Sequence, residues 1–180
     1  MARHTIASAA WHNDDHVSVL ANLNSAMLQR NTKPFCTAIY GTLQPSPVGV
    51  VFTFASGGHP LPIVARSDGT ATTVGASGTM IGVFDHIDTT VTTTVLNPGD
   101  TVVLYTDGVT DVPRPHDLST DQVIELVGVA ARDSRSAEAL ADRLHDELSA
   151  ILPIGERSDD IALLILRVSP PPEVETAEAG

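Results

Sequence analysis

Apolar positions near the start of the chain recur on one helical face. Val19, Leu20, Leu23, Met27 and Leu28 predict a helix running from about Arg3 to Gln29. A break or helix start is expected between His12 and His16, with Asn13 or Asp14 as its cap. The period then shortens. Phe35 to Leu43, Val48 to Ala55 and Leu61 to Ala65 are rich in β-branched and aromatic residues and are separated by Pro and Gly, which predicts strands. Ser67-Asp68-Gly69 is a tight-turn signal, and Thr70 to Val74 is its return strand. Thr89 to Leu96 reads as a strand, Asn97-Pro98-Gly99-Asp100 as a turn, and Thr101 to Thr106 as a buried strand. Two helices follow, Asp121 to Ala131 capped by Ser119 or Thr120, and Ala137 to Ile151 capped by Ser136. Glu138 sits favourably in the first turn of the second, and Leu140, Leu144 and Leu148 share one face. Ile161 to Val168 is the last strand. Antiparallel strands with helices grouped before and after them predict an α+β layered sandwich, not a doubly wound βαβ sheet.

Composition narrows the class without changing this picture. The 180 residues are 42% hydrophobic and 18% charged, as in a globular domain with a sizeable core. Ten basic residues against 22 acidic ones give a net charge of −12. No basic stripe exists to neutralise a phosphate backbone, so nucleic acid is not an expected partner. A phosphoprotein substrate stays open, because a bound metal can carry the local positive charge. The single cysteine, Cys36, allows no intrachain disulfide and fits a reducing compartment. No signal peptide or membrane-length apolar run is present, so the expected location is the cytoplasm. The tail from Ser169 to Gly180 is Pro-rich and acidic and is expected to be disordered.

Candidate chemistry sits at the strand ends. Asp107 follows the apolar run Val102 to Tyr105, and Asp159-Asp160 precedes Ile161 to Leu166. A carboxylate at the rim of a buried strand is poorly solvated unless something compensates its charge. Oxygen-only ligands of this kind suit Mg2+ or Mn2+. Taken singly, Asp107-Gly108 reads as a turn and Asp159-Asp160 as a solvated loop. Taken together, the two sites make shared metal ligation plausible. In Gly57-Gly58-His59-Pro60 the paired glycines indicate a special backbone conformation, and the expected role of His59 is to fix that loop through a backbone hydrogen bond. His12 and His16 have a chelating spacing, but Asn13 stands where the metalloprotease motif has Glu. A solvated helix face is the expected reading. Cys36 is expected to be a small core hydrophobe.

Four ordered segments resemble one family. Phe35-Cys36-Thr37-Ala38-Ile39-Tyr40 is similar to its "F-x-T-x-x-Y" strand. Ala55-Ser56-Gly57-Gly58-His59-Pro60-Leu61-Pro62 is similar to its "A-x-A-G-H-P-x-P" element. Leu96 to Asp111 resembles "L-x-P-G-D-x-L-x-L-Y-T-D-G-V-x-E", and Ser158 to Leu163 resembles its terminal "D-D-I-A-L" strand. These identify the chain as a member of the SpoIIE-like branch of the metal-dependent PPM (protein phosphatase 2C-type) phosphatases, over nearly all of Arg3 to Val168. The resemblance implies an αββα sandwich of two antiparallel sheets flanked by helices. It also implies hydrolysis of phosphoserine or phosphothreonine by water activated between two Mn2+ or Mg2+ ions. Asp107 and Asp159 match catalytic metal ligands, and Asp160 is the neighbour of the second. Gly108 matches the small residue beside the metal, where bulk would crowd the site. The implied substrate is a phosphorylated anti-sigma-factor antagonist or a similar partner-switching protein.

The family's early "G-D-x-x-G-H-G" motif, which bridges its metals, has no counterpart here. The expectation is therefore a domain over residues 1–168 that is incomplete at its N-terminus, followed by the tail at 169–180. Metals would be held at most weakly. An exposed sheet edge would invite pairing with another chain, a homodimer included. Two functions compete: a phosphatase using Asp107 and Asp159, and a pseudophosphatase that binds a partner without hydrolysing it. A metal-free hydrolase using Cys36 or a serine has no motif support.

Overall fold

The computed structural model describes residues 15–30, 34–112, 117–151 and 159–169. Helix α1 (His16–Leu28) starts at Asp15, whose carboxylate accepts from the Ser18 N–H at 3.0 Å. That cap is one residue past the expected Asn13 or Asp14. Both of those, with the remainder of the expected Arg3–Gln29 helix, lie outside the described residues, as does the tail beyond 169. β1 (Ala38–Ser46) and β2 (Gly49–Gly57) follow as a hairpin, then the short strands β3 (Ile63–Ala65) and β4 (Ala71–Thr73). The turn between β3 and β4 forms as expected: Gly69 takes φ +90°, and the Arg66 N–H donates to the Thr70 carbonyl at 2.7 Å. β5 (Val91–Leu96) and β6 (Thr101–Tyr105) flank the Asn97–Asp100 turn. α2 (Thr120–Asp133) carries a capping box between Ser119 and Gln122. α3 (Ala137–Ile151) starts at Ser136, whose hydroxyl accepts from the Ala139 N–H at 3.1 Å. β7 (Leu163–Arg167) closes the fold.

All strand pairs are antiparallel, in two sheets ordered β1-β2-β5 and β4-β3-β6-β7. Three apolar layers hold the molecule together. Leu20 and Leu23 of α1 pack on Ala55 and Ile81 behind the first sheet. Phe52 and Phe54 meet Val64, Leu96 and Val102 between the sheets. Leu140, Leu144 and Leu148 of α3 join Val123 and Val127 of α2 over Ile63 and Val103. The expected αββα sandwich is what forms. The alternation in β2, with Phe52 and Phe54 on one face and Ala55 on the other, is the pattern a strand buried on both sides requires.

One flank of the sandwich is stapled. Asp100, 1% exposed, accepts from Arg66 Nη1 at 2.9 Å and from the Ser67 and Asn97 N–H groups, each at 2.9 Å. Arg66 also donates to the Val95 carbonyl at 2.7 Å, so β5 sits over β3. β1 and β7 each form an outer strand of their sheet. On them Leu43 and Leu164 are exposed, and nothing among the described residues pairs with either outer edge.

His16 corrects an expectation. It is buried, not on a solvated face: Nε2 lies 3.1 Å from Thr42 Oγ1, and its ring sits 5.2 Å from that of Tyr40. The helix turns this residue inward because β1 offers both a hydroxyl and an aromatic face at that height.

Candidate active site

β6 ends at Tyr105 and the chain turns at once through a single 3-10 turn, Asp107–Val109. The Asp107 carbonyl accepts from the Thr110 and Asp111 N–H groups at 2.8 and 2.7 Å, which fixes the turn. Thr106 ties it to the start of β7. Its N–H donates to the Ala162 carbonyl at 3.1 Å, and its hydroxyl donates to the Asp160 carbonyl and accepts from the Ala162 N–H, both at 2.9 Å. Gly108 is buried against the same segment. A Cβ at that position would stand 2.6 Å from the Asp160 carbonyl oxygen and 3.3 Å from that of Asp159. Glycine is needed here for space.

The fold thus brings Asp107-Gly108 and Asp159-Asp160 together through their backbones. Asp159 Oδ1 accepts from the Asp160 N–H at 2.7 Å. All three aspartates are exposed, whereas poorly solvated carboxylates were expected. The reason is where the strands stop: β6 ends at Tyr105 and β7 begins at Leu163, so each acid lies beyond the buried rim and reaches water.

His59 is a neighbour the sequence did not indicate. Its Nδ1 lies 2.9 Å from Thr37 Oγ1, and its carbonyl accepts from Ser56 Oγ at 3.0 Å. Its side chain thus holds a hydroxyl rather than the expected backbone group. Burial pushes the imidazole pKa below its usual 6.5, and the charge of Asp107 pulls it partly back. The loop after β2 therefore carries a histidine within reach of the Asp107 charge. The Gly-Gly-His signal marks a fixed loop, but nothing in it points across to the other sheet. Cys36 is half-buried, donates to Met27 Sδ at 3.6 Å, and has its thiol pKa raised by burial.

The donors are of the right kind for Mn2+ or Mg2+, being carboxylate oxygens at an exposed rim. They are few. Among the described residues, no group of three or more His, Cys, Asp or Glu side chains is arranged to hold a metal ion. A divalent ion at Asp107 and Asp159 or Asp160 would keep most of its coordination shell as water, so these residues fit a metal as a partial ligand set.

The model of the family described as Stage II sporulation protein E (SpoIIE) matches residues 1–169. Among solved structures, the RsbU and RsbW domains of Rv1364c from Mycobacterium tuberculosis are 27% identical with a TM-score of 0.71, over 93% of this chain and 46% of theirs. The PP2C phosphatase domain of SpoIIE from Bacillus subtilis, with a fragment of its regulatory domain, is 17% identical with a TM-score of 0.71, over 93% of this chain and 49% of that one. The catalytic domain of the serine/threonine protein phosphatase PstP, in complex with two manganese ions, is 16% identical with a TM-score of 0.60, over 94% and 81%. The chain thus spans less than half the length of the first two.

Proposed function

Because the chain belongs to the Stage II sporulation protein E (SpoIIE) family, we propose that it is a metal-dependent protein-serine/threonine phosphatase. The observation that carries this reading is the seating of Gly108 on the Asp159-Asp160 backbone, clamped by Thr106. It sets two acid-bearing segments, far apart in sequence, at one end of a PP2C-type sandwich. Asp107, with Asp159 or Asp160, would hold Mn2+ or Mg2+. Such an ion, when bound, lowers the pKa of its water and neutralises charge on a phosphoryl group. The chain's own contribution is to orient the carboxylates: the 3-10 turn fixes Asp107, and the Asp160 N–H engages one oxygen of Asp159. PstP was solved with manganese, which supports that metal as the first to test.

We infer one phosphatase unit over residues 1–168, with 169–180 as an appended tail, acting in a bacterial cytoplasm. Among the described residues no helix is long and apolar enough to cross a membrane. The resemblance to a protein with RsbU and RsbW domains supports a partner-switching substrate such as a phosphorylated anti-sigma-factor antagonist. The unpaired edges of β1 and β7 leave room for a second copy.

The sparse ligand set favours one alternative, a weak or inactive pseudophosphatase that binds the same partner. The two are separated by assaying purified chain with Mn2+ on a serine-phosphorylated antagonist. Turnover that Asp107→Asn abolishes, in a variant that stays folded, supports the enzyme. A folded chain with no turnover under any divalent metal leaves the binding module.

A further inference from the structure

The loop between β4 and β5 displays apolar surface that the core does not need. Phe35, Met80, Val83 and Phe84 are 67%, 37%, 45% and 57% exposed. The backbone groups them. Cys36 and Ile81 exchange two hydrogen bonds of 3.0 Å, which lays Phe35 beside Gly82; a Cβ on Gly82 would come within 3.3 Å of the Phe35 Cα. The loop is held from beneath by Asn24, 2% exposed, whose amide donates to the Phe84 carbonyl at 2.9 Å and accepts from the Gly82 N–H at 2.7 Å. Thr79 and Asp88 close its base with bonds of 2.8 and 2.9 Å. One exposed phenylalanine would need no explanation. Three large apolar side chains on a loop that a buried asparagine holds in place, with Phe35 laid beside them, mark an interaction surface.

Position and charge indicate what it meets. The Met80 backbone abuts Gly58, where a Cβ would stand 2.8 Å from the Met80 Cα, and the next residue is His59, whose imidazole feels the Asp107 charge. The apolar patch therefore lies on the side of the molecule that carries the His59 loop, within range of the acidic site. Asp85 and Asp88 lie on the same loop, and the chain as a whole carries −12, so a cationic segment is attracted and an acidic one repelled. We propose that this patch docks the protein part of the phosphorylated substrate, a segment with apolar and basic residues beside its phosphoserine or phosphothreonine. This rests on the phosphatase reading of the adjoining acids.

The test uses Phe35→Ser and Phe84→Ser in the full chain, with circular dichroism to confirm folding. The probes are p-nitrophenyl phosphate and a fluorescent phosphoserine peptide bearing leucines and lysines on one side. With Mn2+, kcat/KM for the peptide should fall about tenfold, while that for p-nitrophenyl phosphate stays level. Peptide Kd, read by anisotropy, should weaken by the same factor and weaken further with salt. Unchanged peptide kcat/KM and Kd in both variants, or no binding by the parent chain, overturns the proposal. A dimer that Phe84→Ser dissolves while peptide binding is unaffected also overturns it and assigns the patch to a second copy. If p-nitrophenyl phosphate is never hydrolysed but peptide binding still depends on Phe35 and Phe84, the phosphatase reading fails and the docking surface stands.

Discussion

Replacing Gly108 by alanine tests the seating of the two acidic segments directly. The added Cβ would lie 2.6 Å from the Asp160 carbonyl oxygen and 3.1 Å from its carbon, inside the 3.0 Å limit that Cβ atoms essentially never cross in the first case. The obstructing atoms are backbone, so no rotamer change relieves the overlap. The Asp159-Asp160 segment has to retreat by about half an ångström, as overpacked sites do, at a cost of about 1–3 kcal/mol. The same retreat strains the bond from Thr106 Oγ1 to the Asp160 carbonyl, 2.9 Å in the parent. Gly128 in α2 is the control. Its added Cβ would meet the Ala71 methyl at 3.1 Å, a far shallower overlap than at Gly108 that a shift of a few tenths of an ångström between α2 and β4 relieves, and alanine gains about 1 kcal/mol of helix propensity over glycine to offset it. Urea unfolding should show Gly108→Ala less stable by that margin and Gly128→Ala near neutral. Mn2+ titration by calorimetry should show weaker binding in Gly108→Ala alone. A Gly108→Ala protein with parental stability and parental Mn2+ affinity would refute the seating.

Three further outcomes are expected. Asp100→Ala strands the Ser67 and Asn97 N–H groups and the Arg66 guanidinium; with Arg66 partly exposed, urea unfolding should show a loss of about 2–4 kcal/mol. His59 titrates below its usual 6.5 in the folded chain because of burial, so the unfolded chain takes up the proton first. Stability from this group is whole above pH 6.5 and declines as pH falls through the folded value; the pH series of urea midpoints for His59→Gln should be flatter than the parent's in that window. Cys36, with its thiol pKa raised by burial, should react with iodoacetamide at pH 8 several-fold more slowly than the same thiol in urea, and equal rates would contradict its packing beside Met27.

Much of the fold is legible in the chain because its signals are local. The strand runs, the Asp68-Gly69 turn, the Ser119 and Ser136 caps and the leucine face of α3 each follow from neighbours within a few residues. Strand ends were less legible. Phe35 was expected inside β1, yet it is two-thirds exposed and the strand starts at Ala38, because Cys36 pairs with Ile81 in a loop whose partner cannot be read from either segment.

By itself the sequence determined the element types, the two-sheet class and the identity of the acids, since periodicity, turn chemistry and motif order are properties of contiguous residues. The tertiary structure alone decided that β5 joins β2 while its chain neighbour β6 joins β3. It also decided that Thr106 and Gly108 seat the turn on Asp160 and that His59 comes within range of the Asp107 charge. Those outcomes depend on which buried faces and which hydrogen-bonding groups meet across the sandwich, and such meetings are settled by packing among segments that no local pattern connects.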